Sequence, residues 1–240
     1  YSEIGDSENA IKDINKCIEM GDGNDYYALS RRALIYEEAG LYDKAIADYT
    51  TLIEMEPMSV FLYYRRGWCY ELAGDDRKAM EDYNAGVDID KTYPYIFLMR
   101  GEQFLKQGKR ELASSDFNEI LKLDTIAESG SCRHYALLFL DKKDEALEWM
   151  EKIISTDTKN KGSYYDKACL MSHMGKLEDA IAALRLSLEK GFRSFAHIEH
   201  DDDMDAIRNL PEFISLIEEY KAKLKVVIED VGSDTGTGLV

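Results

Sequence analysis

Proline is nearly absent from this 240-residue chain, which has three. Helices can therefore run uninterrupted over most of its length. No stretch approaches the ~18 consecutive apolar residues that a membrane-spanning helix requires. Positive charge is scarce: 30 lysines and arginines face 47 aspartates and glutamates, for a formal net charge of −17. A nucleic-acid surface needs clustered cations to release phosphate counterions, so that class is excluded, and an anionic membrane surface with it. The four cysteines, Cys17, Cys69, Cys132 and Cys169, include no Cys-x-x-Cys pair and no zinc-site spacing. They read as small core residues. Free thiols fit a reducing compartment and leave an oxidising one open. Only four histidines are present, and no nucleophile–base constellation, phosphate loop or Gly-rich nucleotide turn appears. The expectation is a protein without catalytic activity or a cofactor.

What is present is a repeat. Ala10, Ala45, Ala79, Ala113, Ala146 and Ala180 recur every 33 to 35 residues. Five residues before the alanine stands a glycine in most copies: Gly5, Gly40, Gly74, Gly108 and Gly175. Glycine suits the left-handed turn that closes a helix. Nine before it is a large apolar residue (Tyr36, Tyr70, Phe104, Leu137, Met171), and twelve before it a small one in most copies (Ala33, Gly67, Gly101, Ala168). Four after it come Ile14, Tyr49, Tyr83, Phe117, Met150 and Leu184. Steps of three and four on both sides of the glycine describe a helix, a tight turn and a second helix. Such units bury their apolar faces by stacking into a solenoid.

The pattern resembles the tetratricopeptide repeat (TPR) family. The second unit carries Leu29, Ala33, Tyr36, Gly40, Ala45, Tyr49 and Pro57 at that family's spacings. The resemblance implies an all-α fold, a right-handed α-solenoid of stacked units spanning residues 26–59, 60–93, 94–126, 127–160 and 161–190. Residues 1–25 would hold the second helix of a truncated first repeat, so the chain is expected to be part of a longer one. The fifth unit departs from the pattern. His134 occupies its small position, Asp141 replaces the glycine, and Gly130 and Ser131 fall in its first helix. A looser first helix or a shifted crossing is expected there.

Arg32, Arg66 and Arg100 precede their alanines by thirteen residues, while Asp48, Asp82 and Asp116 follow by three. This register predicts an ion pair between the helices of each unit or between adjacent units. Arginines standing exposed and unpaired would contradict it.

By matching positions, the resemblance implies a concave groove lined by Tyr27, Ser30 and Leu34, then Phe61, Tyr64 and Trp68. Tyr95, Leu98 and Glu102 follow, then Ser131 and Tyr135, then Tyr165 and Cys169. Aromatic side chains dominate this set and suit binding surfaces, because they offer large area at low entropic cost. The clamp that captures acidic chaperone tails needs Lys, Arg and Asn where this chain has Ser30, Leu34, Tyr64, Trp68, Leu98 and Glu102, so that function is rejected. The expected function is a non-catalytic scaffold binding a neutral to basic peptide or protein segment. The alternatives are an accessory domain of a larger protein, such as a peptidase fusion, and a self-assembling architectural module.

Beyond Lys190 the chain resembles a tail that follows TPR arrays in bacterial proteins. A solenoid needs such a cap over its last apolar face. Residues 191–228 are expected to form the cap, with a final helix starting near Pro211 and an apolar stripe of Phe213, Leu216, Ile217, Tyr220 and Leu224. Residues 229–240 read as a flexible tail, in which Asp234-Thr235-Gly236 lacks the apolar strand of an aspartic protease. His197 and His200 beside Asp201, Asp202, Asp203 and Asp205 read as a polar turn without metal-ligand spacing.

Overall fold

The computed structural model describes residues 7–20, 25–126 and 131–233. All regular structure in them is helical, and none of these helices is long and apolar enough to cross a membrane. The chain divides into two compact units, Tyr1–Trp149 and Met150–Val240.

The first unit contains α1 (Ser7–Met20), α2 (Tyr26–Glu38), α3 (Tyr42–Met55), α4 (Val60–Leu72), α5 (Asp76–Ile89), α6 (Pro94–Lys106), α7 (Arg110–Leu123) and α8 (Arg133–Phe139). The start of α9 (Lys143–Thr156) completes it. Local chemistry sets the helix ends. The Asp25 carboxylate accepts from the Ala28 amide at 3.0 Å and Asp75 from Lys78 at 3.1 Å, while Pro94 opens α6, where no amide is needed. Gly40, Gly74 and Gly108 take φ of 70°, 82° and 72°. The amide after each reaches back 2.8 Å to the carbonyl of Tyr36, Tyr70 or Phe104, closing the helix.

The alanine column is the core seam. Ala45, Ala79, Ala113 and Ala146 have no exposed surface, and neither does Ala180 in the second unit. The side chain of Ala10 lies outside the described residues. Tyr49, Tyr83 and Phe117, one turn on, are at most 1% exposed. Small residues allow the close crossing: a Cβ on Gly67 would lie 2.6 Å from the Tyr83 ring.

The predicted ion pairs form, and each is bidentate. Arg32 holds Asp48 at 2.8 and 2.6 Å, Arg66 holds Asp82 at 2.8 and 2.7 Å, and Arg100 holds Asp116 at 2.8 and 2.7 Å. The third guanidinium nitrogen donates to the preceding helix, at Asn15, Thr50 or Asn84. One side chain thus links the two helices of its own unit and the unit before. The fifth unit solves the same problem differently: Arg133 lies 4.8 Å over the Trp149 ring, which stands where the aspartate would be.

That unit is also where the local geometry is least regular. Its first helix, α8, has seven residues against thirteen in α2, α4 and α6. The Asp124 carboxylate accepts from the Ser131 hydroxyl and from the amides of Cys132 and Arg133, organising the chain just before α8. Asp141, in the glycine position, sits at φ 59°. A non-glycine residue is strained there, so Asp141→Gly is expected to raise stability by about 0.5–1 kcal/mol. A higher urea midpoint at unchanged slope would show it.

The second unit holds the rest of α9, then α10 (Lys161–His173), α11 (Leu177–Glu189), α12 (Phe195–His200), a 3₁₀ turn (Asp202–Met204), α13 (Asp205–Arg208) and α14 (Pro211–Ser233). Phe213, Leu216, Ile217 and Tyr220 are buried, while the side chain of Leu224 lies outside the described residues. The final helix runs to Ser233, five residues into the segment read from sequence as tail. The Asp-Thr-Gly tripeptide lies outside the described residues.

Candidate binding surface

The second and third complete repeats place α4 and α6 side by side, and aromatic residues collect where they meet. Tyr64 is the hub. Its ring centroid lies 6.3 Å from Phe61 and 6.4 Å from Trp68 on its own helix. Toward the start of α6 it lies 6.1 Å from Tyr93 and 5.9 Å from Tyr95, which are themselves 6.1 Å apart. Spacing of three and four residues on α4 puts Phe61, Tyr64 and Trp68 on one face. Pro94 starts α6 at a point that brings Tyr93 and Tyr95 alongside. Phe61 is 44% exposed, and Tyr64, Trp68, Tyr93 and Tyr95 are half-buried. Burial pushes the Tyr64 phenol up to about 12, with Tyr93 adding to the rise and Arg65 opposing it. It stays a neutral hydrogen-bonding hydroxyl across the working pH range.

An ionic layer supports the rings. The Arg65 guanidinium lies 5.8 Å from the Phe61 centroid and 5.5 Å from that of Trp68. Beneath them it pairs with Glu37 at 2.6 Å. Burial disfavours this cation, but Glu37 outweighs that cost and holds it charged. The Tyr49 hydroxyl donates to Glu37 at 2.9 Å, and the Cys69 thiol approaches the same oxygen at 3.8 Å. Burial raises that thiol well above its ordinary range, with Glu37 adding to the effect. Cys69 is therefore an inert core thiol. The motif repeats one unit on, where Tyr83 donates to Glu71 at 3.0 Å and Lys106 pairs with Glu71.

The other residues inferred from the resemblance fall into distinct places. Tyr27 stands 74% exposed at the start of α2. Leu34, Glu102 and Tyr135 are half-buried, with Tyr135 packed 4.2 Å from the His134 ring. Ser30 turns inward, its hydroxyl donating to the Tyr26 carbonyl at 2.7 Å. Leu98, Ser131 and Cys169 are buried and offer no surface. Tyr165 requires correction. It is 5% exposed, lies flat against Phe192 at 4.6 Å and donates to Asp201 at 2.6 Å. It anchors the cap of the second unit and is unavailable to a ligand. Tyr93 was not foreseen: it precedes α6 and lies off the helical positions. Its sequence signal was the Tyr93-x-Tyr95 pair flanking Pro94.

Residues 4–94 match the family model described as tetratricopeptide repeat. A chloroplastic protein of Arabidopsis thaliana is 29% identical over 82 residues, which covers 33% of this chain and 24% of that relative. The chain thus matches about a quarter of the relative's length. Among solved structures, a thermophilic TPR protein of Thermus thermophilus aligns at a TM-score of 0.54 and 19% identity, covering 70% of this chain and 90% of that one. The APC/C hetero-tetramer Cut9-Hcn1 aligns at 0.54 and 17%, covering 89% and 39%. These two likenesses share the fold, an all-α helical-repeat solenoid. The sequence match over residues 4–94 and the shared fold together make this chain similar to tetratricopeptide-repeat proteins, with an all-α helical-repeat solenoid fold.

Proposed function

We propose that the chain is a non-catalytic scaffold that binds a peptide or partner segment across the aromatic face of α4 and α6. The observation that carries this reading is the contiguous ring cluster of Phe61, Tyr64, Trp68, Tyr93 and Tyr95, left partly open to solvent. Phe61 is exposed beside four half-buried rings, and contiguous aromatic surface marks interaction sites. Buried ion pairs beneath the rings fix their positions before a partner arrives, which lowers the entropic cost of binding. The net charge of −17 favours neutral to basic partners by long-range attraction. Leu34, Glu102 and Tyr135 extend the proposed surface to either side. Tyr27 would lie at its margin.

The test compares capture of partners from native lysate by the parent chain and by Tyr64→Ala/Trp68→Ala, with helicity checked by circular dichroism. A partner kept by the parent and lost by the variant is expected. The truncations should cost about 2 kcal/mol or more of binding energy, about 30-fold in affinity. A partner kept equally by both chains would place binding elsewhere.

A further inference from the structure

In the second unit the 3₁₀ turn of the cap packs against α10. Tyr165 and Cys169 stand fifteen and eleven residues before Ala180, the register that Tyr64 and Trp68 hold before Ala79. On α4 that face is partly open, whereas on α10 it is closed: Tyr165 is 5% exposed and Cys169 1%. The closure is polar. The Tyr165 hydroxyl donates to Asp201 at 2.6 Å, and His173 Nε2, also on α10, lies 2.7 Å from Asp203.

The groups that meet here can change charge near neutrality. Carboxylate oxygens of Asp201 and Asp203 lie within 4.8 Å of each other and of Cys169 Sγ, and like charges at that distance disfavour ionising both. Asp166, half-buried on α10, feels both of them. The positive charge opposite comes from imidazoles: His173 at Asp203, and His197 of α12 at 3.3 Å from Asp201. Arg208 of α13 is engaged elsewhere, pairing with Asp205 and donating to the Asp201 backbone carbonyl.

We propose that residues 201–204 form a proton-sensitive strap, closed over α10 at mildly acidic pH by its histidine and tyrosine contacts and released as the pH rises. Proton linkage sets the direction. The contact with Asp203 raises His173 above the ordinary imidazole value. Burial, then Asp203 and Asp201, push the Asp166 carboxyl up to about 7, and burial followed by Asp203 raises Asp201. The folded unit therefore holds protons that the unfolded chain gives up. Each contribution is fully present below the group's ordinary value, about 4 for the carboxyls and about 6.5 for the imidazole, and is lost as the pH rises through the raised one. Above that range three ionised carboxylates crowd the face with the His173 charge gone. General repulsion in a chain of net charge −17 also grows with pH but acts on the first unit too, so the test is local.

The test is amide hydrogen exchange of the full chain at about pH 5.5 and about pH 8, expressed as protection factors so that the intrinsic pH dependence of exchange is removed. Residues 161–173 and 201–208 are expected to lose protection about tenfold or more at the higher pH, with residues 60–89 changing far less. Asp166→Asn/Asp203→Asn removes two of the three carboxylate charges and should flatten that dependence. Proton NMR follows His173 directly, its signal identified by its loss in His173→Gln. Its titration should lie above the ordinary imidazole value in the parent and fall back in Asp203→Asn. Equal protection of residues 161–173 at both pH values, or the same loss in Asp166→Asn/Asp203→Asn as in the parent, would overturn the proposal. A His173 titration at or below the ordinary value would overturn it without any variant having to fold.

Discussion

Replacing Asp82 with alanine is expected to destabilise the first unit by about 2–4 kcal/mol, one of the largest single-residue effects in the chain. The reason lies in what is left behind. Arg66 spans three helices, bonded to Asp82 on α5 and Thr50 on α3 while rooted on α4. The Arg66 and Asp82 side chains are 17% and 7% exposed, and the rings of Tyr63 and Tyr70 flank the guanidinium at 5.7 and 5.9 Å. Without Asp82 the cation stays buried with no counter-charge. The pair itself need not be strongly favourable, since desolvation offsets much of its attraction. Accordingly Arg66→Met/Asp82→Leu, which removes both charges and keeps the volume, should recover most of the loss. Equilibrium denaturation followed by helicity measures both. A double variant as unstable as Asp82→Ala would show that the pair contributes geometry no apolar contact can replace. The solvent-exposed Arg77–Glu81 pair provides the contrast, and its removal should change stability by less than about 0.5 kcal/mol.

A second large effect is expected at Gly101. A Cβ there would stand 2.5, 3.0 and 3.1 Å from three atoms of the Phe117 ring. That ring is 1% exposed and stacks on Phe139 at 5.1 Å, so it has nowhere to go. Gly101→Val should therefore cost about 3 kcal/mol through overpacking. Gly101→Ala should cost less, about 1–2 kcal/mol, because better helix propensity returns part of the loss. Pairing Gly101→Val with Phe117→Leu makes room and should restore part of the stability. If Gly101→Val were neutral, the close crossing of α6 and α7 would not be the constraint that keeps this position small.

These two sites show why much of the fold could be read in advance. Gly101, Asp82 and Arg66 belong to positions that recur once per unit, and recurrence exposes a role that a single copy would hide. The departure at Asp141 was legible for the same reason, since it broke a column whose other members need a positive φ. The binding surface was less legible. Periodicity gives a side chain's direction around its helix, but not what packs over it. Tyr165 has the same register as Tyr64, yet the cap closes on it through Phe192 and Asp201. Leu98 and Cys169 are likewise covered. Tyr93 was missed because it lies between helices, where no register applies.

The measurement that tests the central claim most directly is amide hydrogen exchange of the chain, free and with a captured partner bound. If the aromatic face is the binding surface, new protection should concentrate in residues 60–72 and 93–106, and Tyr64→Ala/Trp68→Ala should abolish it. Protection confined to other segments, with residues 60–72 and 93–106 exchanging as in the free chain, would contradict that reading.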